Sequence, residues 1–382
     1  MNQAWRSIVN RVTVAAVALT FGVSLVPQVV ASQEPPPEER ERRRGEMPSP
    51  PTPEPSPNRT WQVRASPQAN LWFHSLAVIA ADQPGPLGLY SAEYARHVRE
   101  VKQERGVYPT PLDSIASDLR TAIGDGRTLE SLHFVPLYFP DATPERMFGA
   151  LLAVAKRRTN DSALAGQDVR FGAAVMAQAF EDGKARRLLE RLAGVVEREW
   201  TLFYRQYWED SRTHEDSIAT AMQEIWERDL APGLQPLLER RRLTGGIVMP
   251  SPALGPEGRI VDVRELDPGD QVVAVQEPLL ATGPDAAVFA FLKELCFLLV
   301  DDRKLNPDSL TVDEREDLRR TAAVRCGALL LEFYAPAHVG RYRRAFLDAV
   351  GAEESTTVAA FERVYFLDPA LYRRLRDQIR SR

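Results

Sequence analysis

KARRLLERLAGVVEREWTLFYRQYWEDSRTHEDSIATAMQEIWERDLAPGLQPLLERR, residues 184–241, is the longest helical pattern in the chain. Leu188, Leu189, Leu192, Val195, Val196, Glu199, Trp200, Phe203 and Tyr207 recur at intervals of three and four. That spacing places side chains on one face of an α-helix, and the width of the stripe predicts a broad buried side. Pro232 and Pro236 end or kink the last part of the pattern. The aromatic run at 203–208, like LHFVPLYF at 132–139, suits a packed core and equally a binding surface.

Working outward, residues 91–106 open on a serine cap and close on glycine, as helices do. Residues 110–126 carry a further helical pattern, and Thr143-Pro144-Glu145 starts another with a capping residue and a first-turn proline. LWFHSLAVIA (71–80) reads either as a strand or as a buried helix. The texture changes at 244–278, where IVM, RIVDV and QVVAV are short β-branched runs separated by PSP, GPEG and DPGD. Such runs between turn residues predict two or three strands of a small antiparallel sheet. Helical patterns return at 285–301 and 310–336, with two more beyond, the last broken near Asp368-Pro369. The expected fold is mainly α with a small antiparallel β insert, a multi-helix α+β globular unit. It divides into a helical lobe (61–243) and a sheet-plus-helix lobe (244–382), either separate or continuous.

The first 31 residues read as an address. Two arginines precede an apolar run of about fifteen residues, then Pro27 and small or β-branched residues at Val29 and Ala31. This is the three-part pattern of a secretory signal peptide, shorter than the ~20 residues of a membrane span. The expected location is secreted or periplasmic, with no membrane span after cleavage. Residues 32–60 are rich in proline, glutamate and arginine and nearly free of apolar residues, a composition that stays disordered and extended. Asn58-Arg59-Thr60 and Asn160-Asp161-Ser162 match the glycan acceptor pattern. The net charge of -5, with acids and bases interleaved, lacks the basic footprint of a nucleic-acid binder. The two cysteines, Cys296 and Cys326, are either a disulfide, worth ~3–4 kcal/mol by loop closure, or two buried thiols.

FLKELCFLLV (291–300) sets Lys293 and Glu294 inside an otherwise apolar helix. The simplest expectation is that their stripe reaches solvent and the lysine extends outward. If it does not, Glu294 needs a partner, because an isolated buried charge is costly. Strands, a turn, another strand and then a buried helix with a central glutamate resembles the core of gluzincin-type zinc metallopeptidases, over residues 245–335. Their helix carries His-Glu-x-x-His, and the positions here are Lys293, Glu294, Leu295, Cys296 and Phe297. The glutamate matches; both histidine positions are lost. The resemblance implies Glu294 as candidate catalytic residue and Glu332 in the place of the third ligand, with His74 as the other metal candidate, and no expected zinc or other cofactor. His74, His97, His133, His214 and His338 lie far apart. His74 reads as a hydrogen-bonded core histidine, and His214 and His338 as loop or helix-start residues. The sequence has no Gly-x-Ser-x-Gly elbow and no phosphate-binding loop. The expected function is a non-catalytic binding or scaffold protein, its partner a peptide or envelope protein. The alternative is a secreted hydrolase whose site assembles from residues distant in sequence.

Overall fold

The computed structural model describes residues 60–81, 89–123, 127–158, 161–256, 258–261, 271–277, 283–300, 310–352 and 358–380. The expected leader, the linker up to Arg59, Asn58, Asn160 and the DPGD turn lie outside them. The fold is mainly α with one small sheet. Strands β1 (Trp61–Val63), β2 (Gly246–Ser251), β3 (Arg259–Val261) and β4 (Gln271–Gln276) lie in the order β1-β2-β4-β3.

Of the two or three strands expected within 244–278, three are present, but their pairing is mixed. β2 runs parallel to β4 and to β1, and only β3 pairs antiparallel, with β4. β3 lies outside β4 rather than between it and β2, which leaves β2 and β4 side by side in one direction. The added strand, β1, is three residues long, too short to announce itself by alternation. Its outer edge is closed by a side chain instead of a strand. Gln223 accepts from Val63 N at 2.6 Å and donates to Trp61 O at 3.0 Å, satisfying backbone groups that a sheet edge leaves open.

The sheet separates two apolar cores, and period-two alternation assigns its residues between them. Met249, Val272 and Ala274 face one core, built with Leu71, Phe73, Leu76, Phe148 and Leu192. Val248, Val273 and Val275 face the other, with Trp226, Phe289, Phe291 and Leu329. Residues 61–243 and 244–382 therefore share the sheet as a common layer. β4 buries both faces, which explains why QVVAV is continuously apolar.

The first core is enclosed by α1 (Pro67–Ala80), α2 (Ala92–Glu104), α3 (Pro111–Ile123), α4 (Arg127–Phe134), α5 (Pro144–Ala155), α6 (Gln167–Ala179) and α7 (Gly183–Glu199). LWFHSLAVIA is thus helical, started by Ser66 as N-cap and Pro67 behind it, and every residue from Gln68 to Ala80 is buried. α3 begins with a capping box: Thr110 N donates to Asp113 Oδ2 at 2.9 Å and Thr110 Oγ1 caps Asp113 N. The helical pattern of 184–241 is one run, α7, α8 (Arg205–Ile225) and α9 (Ala231–Arg240), joined by π-helical turns at Trp200–Tyr204 and Trp226–Leu230. Each π turn carries one extra residue around the axis, so the buried stripe shifts phase without breaking the rod. Pro232 stands in the first turn of α9 and Pro236 inside it, so neither ends the helix. His214 lies in the middle of α8, not in a loop; the polar run SRTHED is the wet face of a long helix.

The second core gathers α10 (Pro284–Leu299), α11 (Val312–Tyr334), α12 (Val339–Ala349), α13 (Val358–Val364) and α14 (Pro369–Arg380). No helix among the described residues is long and apolar enough to cross a membrane.

Candidate functional site

Two clusters of buried polar side chains flank the first π turn. The first is sealed. Glu199, the last residue of α7 and fully buried, accepts at Oε1 from Lys102 Nζ at 2.7 Å and from His74 Nε2 at 3.1 Å. Its Oε2 accepts from Thr110 Oγ1 at 2.6 Å. Lys102 also reaches Asp113 Oδ2 at 2.9 Å. Tyr94 Oη lies 3.0 Å from His74 Nδ1. Burial lowers the His74 pKa, opposed by its hydrogen bond to Glu199, so the ring is neutral: Nε2–H donates to Glu199 and Nδ1 accepts from Tyr94. Burial pushes the Glu199 carboxyl up, but the hydrogen bonds from His74 and Lys102 and the Lys102 charge outweigh it and hold the group at about 2. Thr110 has one hydroxyl proton and two carboxylates beside it, the second being Asp113 at 2.7 Å. Asp113 already accepts from Thr110 N and Lys102, so the proton serves Glu199. Four helices are fastened here, and no group of the cluster reaches solvent except an edge of Asp113.

The second cluster lies where β2 and β4 end. Glu277 follows β4, and its backbone N–H donates to Ser251 O, the last residue of β2, at 2.9 Å. The carboxyl ends of parallel strands are where open α/β sheets hold ligands, because helices and loops part there. α1 starts three residues after β1, and its Asn70 donates to Glu215 Oε2 of α8 at 2.6 Å. Ser211 Oγ lies 3.3 Å from Glu215 Oε1. His214 Nε2 is 3.5 Å from Glu277 Oε1, with a side chain 53% exposed against 8% for Glu277. The cluster thus borders solvent at His214. Burial and then the Glu277 charge push Glu215 up to about 8; burial pushes Glu277 up to about 7. At neutral pH this pair holds at least one proton. Tyr204 and Tyr207, with ring centroids 5.6 Å apart, stand beside both carboxyls. The Tyr204 ring is also 4.6 Å from His74, so an aromatic layer divides the two clusters.

Three buried polar atoms at this end of the sheet have no hydrogen-bond partner: Asn70 Oδ1, Ser251 Oγ and Glu277 Oε2. Tyr204 Oη faces the Tyr94 hydroxyl, which belongs to the first cluster. Buried polar groups are nearly always satisfied, so a concentration of unsatisfied ones marks a place built for something else.

The residues singled out in the sequence fall elsewhere. His74 is the buried, hydrogen-bonded core histidine expected. Lys293 and Glu294 do not reach solvent; both are buried, and their charges pair at 2.8 Å. The lysine also stands 5.7 Å from the Phe297 ring. Gly258 permits this burial: a Cβ there would come within 2.6 Å of Glu294 Cγ and 2.8 Å of Ala274 O. Glu294 therefore has the partner its burial demands, supplied by its own neighbour. Glu332 is exposed and pairs with Arg343. His74, Glu294 and Glu332 thus each have a different partner, and no group of three or more His, Cys, Asp or Glu among the described residues could hold a metal ion. Cys296 and Cys326 are free, buried thiols. Burial, then a hydrogen bond to Cys326, raises the Cys296 thiol well above its usual range, which disfavours the thiolate.

Glu199, Glu215 and Glu277 are not marked as site residues by the sequence. Glu199 sits within the apolar stripe of α7, and that is its signal. Glu215 is hidden among the acids of WEDSRTHEDS, and Glu277 follows QVVAVQ with no motif around it. No protein family, curated protein or solved structure matches this chain.

Proposed function

We propose that this is an exported binding protein that holds its ligand at the carboxyl end of the sheet, between Asn70, Glu215, Ser251 and Glu277. The observation that carries the reading is the set of unpartnered buried polar atoms beside a carboxyl pair. The leader read from residues 1–31 supplies the export. A peptide or envelope protein presenting a polar group to this end is the partner class. The gluzincin resemblance, resting on element order over residues 245–335 with Glu294 as the one matching motif position, enters as a shape and contributes no catalytic group. A panel of small cations, anions and neutral amides, followed by thermal shift on wild type and Glu277→Gln, tests the reading. The expected result is a ligand that raises the wild-type Tm and loses its effect in the variant. No response from any class would refute it.

A second reading is a hydrolase assembled from distant residues. It is favoured by the meeting of Glu215 and Glu277 with His214, since a carboxyl kept protonated near neutral pH can act as a general acid. Turnover of peptide or glycoside substrates, lost in Glu215→Gln, would establish it over the first.

A further inference from the structure

Resting on the binding reading above, we infer that the ligand group taken at the end of β2 and β4 is a primary ammonium, as on a lysine side chain or an alkylamine. The chemistry of the three unpartnered atoms points there. Asn70 Oδ1 only accepts, Glu277 Oε2 accepts once ionised, and the Ser251 hydroxyl can accept. An ammonium brings three N–H donors and a charge to neutralise one carboxylate. Asn70 Oδ1 is fixed in the cluster, because its amide nitrogen is already committed to Glu215 at 2.6 Å. The tyrosine rings at 204 and 207 give a cation an aromatic wall. A carboxylate or phosphate ligand would meet two acids. Chelation of a divalent metal is disfavoured, since no group of three His, Cys, Asp or Glu converges among the described residues.

Entry of the cation is coupled to a proton. Glu215 and Glu277 share proton occupancy at neutral pH, and a bound ammonium stabilises the doubly ionised pair. The proton leaves from the Glu215 carboxyl to solvent past the exposed His214. The charged and titratable groups facing the pair are His214 and Asp216 from α8, Tyr204 and Tyr207 from the π turn and α8, and Tyr94 and Arg105 from α2 and its end.

The test is an NMR titration of the full mature chain with n-butylammonium at pH 6, 7 and 8, alongside tetramethylammonium, butyrate and calcium. Affinity for n-butylammonium is expected to rise with pH, by about tenfold per pH unit for each proton displaced. Tetramethylammonium, which lacks N–H donors, should bind at least tenfold more weakly. Glu277→Gln should weaken n-butylammonium at least tenfold, with the wild-type circular dichroism retained. If butyrate or calcium binds in a Glu277-dependent way and the amine does not, the ammonium assignment is overturned while the binding site stands. If none of the four binds at any pH, both fail.

Discussion

Replacing Glu215 by glutamine should make the protein more stable, and increasingly so as pH rises. In the folded chain the Glu215 carboxyl titrates at about 8 instead of 4.5. Its folded-state pKa is raised, so between those values the native state binds a proton that the unfolded chain releases. Unfolding is therefore progressively favoured as pH climbs from 4.5 towards 8. At ~1.4 kcal/mol per pH unit, that span corresponds to at most roughly 5 kcal/mol. Glutamine cannot ionise, and its Oε1 can still accept from Asn70. The variant should match wild type within about 1 kcal/mol at pH 5 and exceed it by several kcal/mol at pH 8. Urea unfolding of both proteins at half-unit steps from pH 5 to 9 reads this difference. A stability gap that does not change with pH would refute the reasoning, because it would place the Glu215 carboxylate in an environment that tolerates its charge.

Glu199 should behave in the opposite sense. Its folded-state value of about 2 lies below 4.5, so the stabilisation it gives is present above 4.5 and is lost as pH falls towards 2; Glu199→Gln should remove that acid slope in urea melts. Lys102→Met leaves Glu199 and Asp113 without their shared cation and should cost about 3–5 kcal/mol, read as a fall in Tm at pH 7. Gly258→Ala drives a methyl into Glu294 and Ala274 O and should cost about 1–3 kcal/mol by chemical denaturation. A thiol reagent should find neither Cys296 nor Cys326 in the native protein and both after unfolding, whereas a bonded pair would yield none.

Much of the fold was legible because it rests on periodicity. The stripe from Leu188 to Tyr207 announced the long rod, and Ser91 and Thr143 marked helix starts. The parallel pairing was not legible. β-branched runs buried on both faces look alike in either orientation, and β1 is three residues at the end of a proline-rich stretch. The chemistry was less legible still. Lys293 and Glu294 drew attention because charge interrupts an apolar run, yet they neutralise one another. Glu215 and Glu277 are separated by a π turn, a helix and three strands. Only the arrival of β4 beside β2 brings them to Asn70, and no local spacing encodes that meeting.

The most direct test is a carbon-13 titration of the side-chain carboxyls of Glu215 and Glu277. The account predicts two transitions, near pH 7 and near pH 8, that both move to lower pH when n-butylammonium is added. Two transitions near the ordinary carboxylate value, unmoved by the amine, would contradict it.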